Sequence, residues 1–138
     1  MPLDPEALLT IAVDLVTARP GGASEQSCWR TAMNRSYYAC LLLLIKRIDQ
    51  VNGAGTVPPY NTHHWVRSTL HDSKRAHLMN IKQKLCTLRL QREQADYVIN
   101  RPDFLRGDME EVLGRAQRLF AEVRDRVPDA LLRGLPVK

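Results

Sequence analysis

The residue best placed for chemistry is an arginine set in an apolar seam. Leu78, Ile81, Leu85, Leu88, Arg92, Ala95 and Ile99 recur at alternating three- and four-residue steps, the pattern of a helix with one greasy side. Arg92 is the one charged member. A guanidinium drawn to an apolar side is costly unless a carboxylate or a ligand anion meets it. Asp96 stands one turn further on and Arg89 one turn back, on the same face. Two readings stay open. Arg92 and Asp96 form a structural ion pair that stitches two helices together, or Asp96 holds Arg92 towards a cleft that receives a phosphate.

An earlier segment repeats the theme. Thr31, Arg35, Tyr38 and Leu42 share one helical face. A tyrosine beside an arginine can simply support its stem. It can equally stack on a base while the guanidinium grips a phosphate. Tyr37 reads as packing, whereas Tyr38 suits either role. If the two long helices pack antiparallel, Arg35 and Arg92 approach one cleft.

The histidines His63, His64, His71 and His77 lack the four-residue spacing with acidic companions of a helical zinc site, so neither metal nor cofactor is expected. His63 or His64 could move a proton at a ribose hydroxyl, or be a cap or surface residue. Glycine-rich phosphate loops, nucleophile elbows and paired-carboxylate motifs are absent.

Five segments must position these residues. Asp4 and Pro5 suit a helix start, followed by a stripe of Leu8, Ile11, Leu15 and Ala18. The stretch 24–52 is a long helix through Trp29, Met33, Tyr37, Cys40, Leu44, Ile48 and Val51. It is apolar all round near 41–45, as a central or dimerising helix would be. A third segment over 61–72, short or poorly regular, presents His63, Val66 and Leu70. The seam helix spans 74–99. A fifth opens on Asp108 and Glu111 as a capping box and buries Val112, Ala116, Leu119, Val123 and Val127. Residues 1–128 thus read as a single all-α domain, an up-and-down bundle of four or five helices, with 129–138 a loosely held tail.

The chain has 138 residues, 44% hydrophobic and 25% charged, ordinary values for one globular domain. No stretch is long and apolar enough for a membrane helix. An acidic start and three cysteines without metal-type spacing point to the cytoplasm. Twenty basic and fifteen acidic side chains leave a net charge of +5. Residues 63–101 hold eight basic and three acidic side chains, so the whole excess lies there. A local basic block favours a polyanionic partner such as RNA or a nucleotide, although a solvated helix face has the same composition.

Arg-Ser-Tyr-Tyr-Ala over 35–39, a histidine-bearing third segment, and Leu-Arg-x-x-Arg-x-x-Ala-Asp-Tyr over 88–97 together resemble the HEPN domains, the higher-eukaryote and prokaryote nucleotide-binding family. The likeness covers roughly residues 8–127. It implies a four- or five-helix bundle, commonly a homodimer. Many HEPN proteins are metal-independent ribonucleases of toxin–antitoxin, phage-defence or CRISPR-linked systems, and others bind nucleotides or proteins without cutting. The nuclease members carry an arginine, four to six residues, then a histidine. Here Tyr97 stands where that histidine would follow Arg92.

The resemblance makes Arg92, with Arg35, the group stabilising the transition-state charge if RNA is cut. Tyr97 is then the proton-moving residue, with His63 or His64 as substitute. Arg35, Tyr38, Arg89, Arg92, His63 and His64 are the expected RNA- or nucleotide-binding set. The competing expectation is a non-catalytic interaction module that dimerises or binds a nucleotidyltransferase-like antitoxin.

Overall fold

Asp4 starts the first helix, α1 (Pro5–Thr17). Its Oδ1 accepts the Glu6 N–H at 3.1 Å and its carbonyl the Leu8 N–H at 3.2 Å. This satisfies donors that a helix start leaves open. The buried line on α1 is Leu8, Ala12 and Val16, while Ile11 is 45% exposed. The expected Leu8–Ile11–Leu15 stripe is therefore rotated. A straight four-residue line centred on the small Ala12 lets α1 lie close against α2 (Gly22–Asn52). The computed structural model describes residues 4–17, 22–97 and 106–137, with side chains at 4–17, 27–94 and 108–137. Ala18 lies outside them.

α2 is the central helix, packed against α1, α4 (Ala76–Tyr97), α5 (Arg106–Asp125) and α6 (Asp129–Leu132). Trp29, Met33, Tyr37, Cys40, Leu44 and Ile48 are all buried, as their spacing predicts. Leu41 and Leu43 are buried too, and Leu42 and Ile45 pack on the core from its edge. This is why the sequence is apolar all round at that point. α2 stops at Gly53, whose φ of 110° is one that a Cβ resists and whose N–H still reaches the Asp49 carbonyl at 2.8 Å.

α3 (Thr62–Asp72) is a regular helix of 11 residues, not an irregular segment, and buries Val66 and Leu70 completely. Residues 73–75 join it to α4, against which it packs. On α4 the apolar steps Leu78, Ile81, Leu85 and Leu88 are buried. The last two, Ala95 and Ile99, fall outside the described side chains. α5 begins two residues before Asp108, so Asp108 sits inside its first turn rather than at its cap. Glu111 pairs with Arg115 at 2.5 Å. The expected inner face of α5 is buried, and Met109, Leu113 and Phe120 widen it.

The stretch after Pro128 differs from the loosely held tail expected. Leu132 is fully buried, as is Leu135 to within 3%. Arg47 on α2 donates to the Val123 and Val127 carbonyls and pairs with Asp129 at 2.5 Å. Arg75 donates to the Leu131 and Arg133 carbonyls, and Asn52 binds both the Leu132 carbonyl and the Gly134 N–H. These side chains satisfy main-chain groups at the end of α5 and around α6. Among the described residues there is no strand, and no helix is long and apolar enough to cross a membrane. The architecture is an all-α bundle, with α6 added to the expected helices.

Candidate anion-binding site

Three helices meet where the seam of α4 reaches its arginine. Arg92 follows Leu88 on the apolar side of α4 and so points at α2, which presents Tyr37 and Tyr38 there. The Arg92 guanidinium carbon lies 5.1 Å from the Tyr37 ring centroid and 5.3 Å from that of Tyr38. The two rings meet edge to face at 5.3 Å. Arg92 Nη1 also donates to the Tyr38 hydroxyl at 3.0 Å. Two ring faces and a phenol oxygen thus hold the cation in place. The Tyr38 O–H has no acceptor of its own among the described residues, and the side chain is 37% exposed.

Tyr37 points inward, its ring edge-on to His63 at 5.6 Å, and its hydroxyl is hydrogen bonded to His63 Nδ1. Burial pushes the Tyr37 phenol well above its ordinary range, only partly countered by Arg89 and Arg92. Burial, then the positive charges of Arg89, Arg67 and Arg92, push His63 down to about 4, against a small opposing pull from Glu93. At neutral pH the phenol keeps its proton and the imidazole stays uncharged. The same hydroxyl also lies 3.3 Å from Nε2, so both ring nitrogens sit beside it. One nitrogen accepts the Tyr37 O–H and the other carries the imidazole proton. His63 is thus an N–H donor with its basic lone pair engaged by Tyr37, which suits holding a phosphate oxygen better than abstracting a proton.

The surrounding charge is mostly positive. Arg89 Nε lies 3.1 Å from Glu93 Oε1, near enough for an ion pair but misaligned for a hydrogen bond. Arg92 Nε is buried with no acceptor among the described residues. Two cations whose buried N–H groups are under-satisfied stand to gain from a further anion.

Of the residues singled out by sequence, Arg92, Arg89, Tyr38 and His63 come together. Arg35 does not join them: it is exposed and donates to Asn34 Oδ1 at 3.1 Å. Thr31, Arg35 and Tyr38 lie along the exposed side of α2, so a shared face did not mean a shared cleft. His64 is also exposed, beside Arg67 and Ser68 at 3.5 Å each. The Asp96 and Tyr97 side chains lie outside those described, and with them the Arg92–Asp96 pair and the proton-moving role given to Tyr97. Tyr37 and Arg67 enter the cluster although sequence had made one a packing residue and passed over the other. The four-residue step from His63 to Arg67 places both on one face of α3 and was the available signal.

Among the described residues, cavities open on either side of α4. One of about 240 Å³ is lined by Arg67, Ser68, His71, Asp72 and Lys82, between α3 and α4. A larger one of about 420 Å³ lies between α4 and α5, lined by Lys84, Thr87, Leu88, Arg115, Arg118 and Leu119. Its Lys84 is tied to Glu122 at 2.7 Å and its Arg115 to Glu111. His77 joins Glu122 at 2.8 Å. The larger cavity is thus partly neutralised from within, and it contains none of the tyrosine–histidine cluster. Cys40 is core, its thiol 3.4 Å from the Ala116 carbonyl and pushed up to about 12 by burial. No protein family, curated protein or solved structure matches this chain.

Proposed function

We propose that this chain binds RNA or a nucleotide at the Arg92 cluster, without relying on cleavage. The observation that supports this best is the Arg92 guanidinium, held by Tyr37 and Tyr38 beside an uncharged His63 and near two further arginines. Guanidinium and imidazole N–H groups would take the phosphate oxygens. The half-exposed Tyr38 would take the base edge or ribose. The sequence resemblance adds the HEPN family to this reading. With it come a cytoplasmic homodimer, a toxin–antitoxin or defence setting, and a nucleotidyltransferase-like partner.

The test is RNA binding by fluorescence anisotropy across a salt series, for the wild type, Arg92→Ala and Arg92→Lys. The expected result is roughly tenfold weaker binding for Arg92→Ala with a shallower salt slope. Lysine should restore little, since it cannot span two rings and a hydroxyl with a planar fork. Absence of RNA and nucleotide binding in the wild type, with Arg92→Ala only lowering the melting temperature, would transfer the case to the interaction module.

A further inference from the structure

The cations of the Arg92 cluster do not end there. His63, at the start of α3, and Arg92, near the end of α4, both face the Tyr37 ring. His71, near the end of α3, shares a cavity with Lys82 near the start of α4. The two helices therefore run antiparallel, as a three-residue connection over 73–75 requires. Arg67 belongs to both ends: it lines the cavity and its charge acts on His63. Arg92, Arg89, Arg67 and Lys82 thus follow one seam, against the carboxylates of Glu93 and Asp72. Ten residues of helix separate Lys82 from Arg92, about 15 Å along the axis.

We propose that the cavity at Arg67, His71 and Lys82 is a second phosphate subsite, and that one single RNA strand lies along the α3–α4 seam from it to the Arg92 cluster. This rests on the function proposed above and goes further, because it makes the ligand a strand rather than a mononucleotide. The phosphates of one nucleotide cannot reach both ends of so long a seam. A cavity of about 240 Å³ holds a phosphate and its sugar. A duplex would touch only the rim, and its bases would be closed to Tyr38. Ser68 supplies a hydroxyl to the cavity wall. Asp72 is the opposing charge there, outnumbered by the Arg67 and Lys82 cations.

The experiment measures two ligands on one set of proteins: a labelled single-stranded oligouridylate of about ten nucleotides, a length in the range such sites cover, and AMP. The proteins are the wild type, Lys82→Gln, His71→Gln, Arg92→Ala, and Lys46→Gln as a charge control on the exposed side of α2. Lys82→Gln should weaken the oligonucleotide roughly five- to tenfold and lower the salt slope by about one, leaving AMP unchanged. His71→Gln should act in the same direction but less, and Lys46→Gln should change neither ligand. Arg92→Ala should weaken both. Melting temperatures within error of the wild type exclude misfolding of these surface variants.

If the oligonucleotide binds Lys82→Gln as tightly as the wild type, the second subsite is wrong while the Arg92 reading stands. Equal loss for Lys82→Gln and Lys46→Gln would also overturn it, as mere net charge. If the wild type binds neither ligand, both readings fall. Duplex RNA binding tighter than the single strand would refute the strand path alone.

Discussion

Replacing His63 with glutamine should remove a specific part of the protein's acid sensitivity. His63 ordinarily takes up its proton near 6.5, but in the fold it does so at about 4. Burial comes first among the reasons, then Arg89, Arg67 and Arg92. Between those two pH values the unfolded chain binds the proton more tightly than the folded one, so acidification favours unfolding. The contribution is fully present above about pH 6.5, declines as the pH falls, and levels off below about 4, where the folded form also protonates. Complete burial would make it roughly 3 kcal/mol. His63 is only half-buried, and solvent screening brings this to roughly 1–2 kcal/mol. Urea denaturation at a series of pH values, wild type against His63→Gln, isolates the effect, because all other titrating groups cancel in the difference. The gap should change by that amount between pH 7 and pH 4, in the direction of relative acid resistance for the variant. Parallel curves, or an NMR titration placing the His63 ring proton near its ordinary value, would show that neither burial nor the three guanidinium groups disfavour its charge.

Two further expectations concern the frame around the site. Arg47→Ala should cost roughly 2–4 kcal/mol by urea denaturation, since it strips hydrogen bonds from the Val123 and Val127 carbonyls as well as the Asp129 pair; lysine should recover only part. Glu122→Gln should lower stability by roughly 1 kcal/mol and flatten the acid limb below about pH 4.5. Burial opposes ionisation of Glu122, but hydrogen bonds from Lys84 and His77 outweigh it and hold its carboxyl below the ordinary value. Its share of stability is therefore present above that range and lost as the pH falls.

Much of this arrangement could be read from spacing alone. The α2 core line and the α4 seam follow directly from three- and four-residue periods. Arg92 stood out because a charge in an apolar series demands a partner. Where a helix meets one neighbour along a narrow line, periodicity was less decisive: Ile11 fitted the stripe on α1, but Ala12 took the buried place because it allows a closer approach. Arg35 shows the same limit from the outside, since a helical face does not reveal what lies across from it. Tyr37 was read as packing because a buried tyrosine usually is. Its hydroxyl acquires a role only through His63, 26 residues away. The segment after Pro128 looked loose because its partners, Arg47, Asn52 and Arg75, sit some 56 to 82 positions earlier in the chain.

Those last connections bear on the order in which the protein can be made. During synthesis α2 emerges early, with its long greasy surface, but the groups that Asn52 and Arg47 must grip have not yet been translated. Contacts of such wide sequence separation close late and slow the search for the native state. α2 must therefore wait for these partners until the segment around α6 has left the ribosome. Chaperone dependence of expression should accordingly fall most on variants that weaken this last clasp, rather than on those that alter the Arg92 cluster.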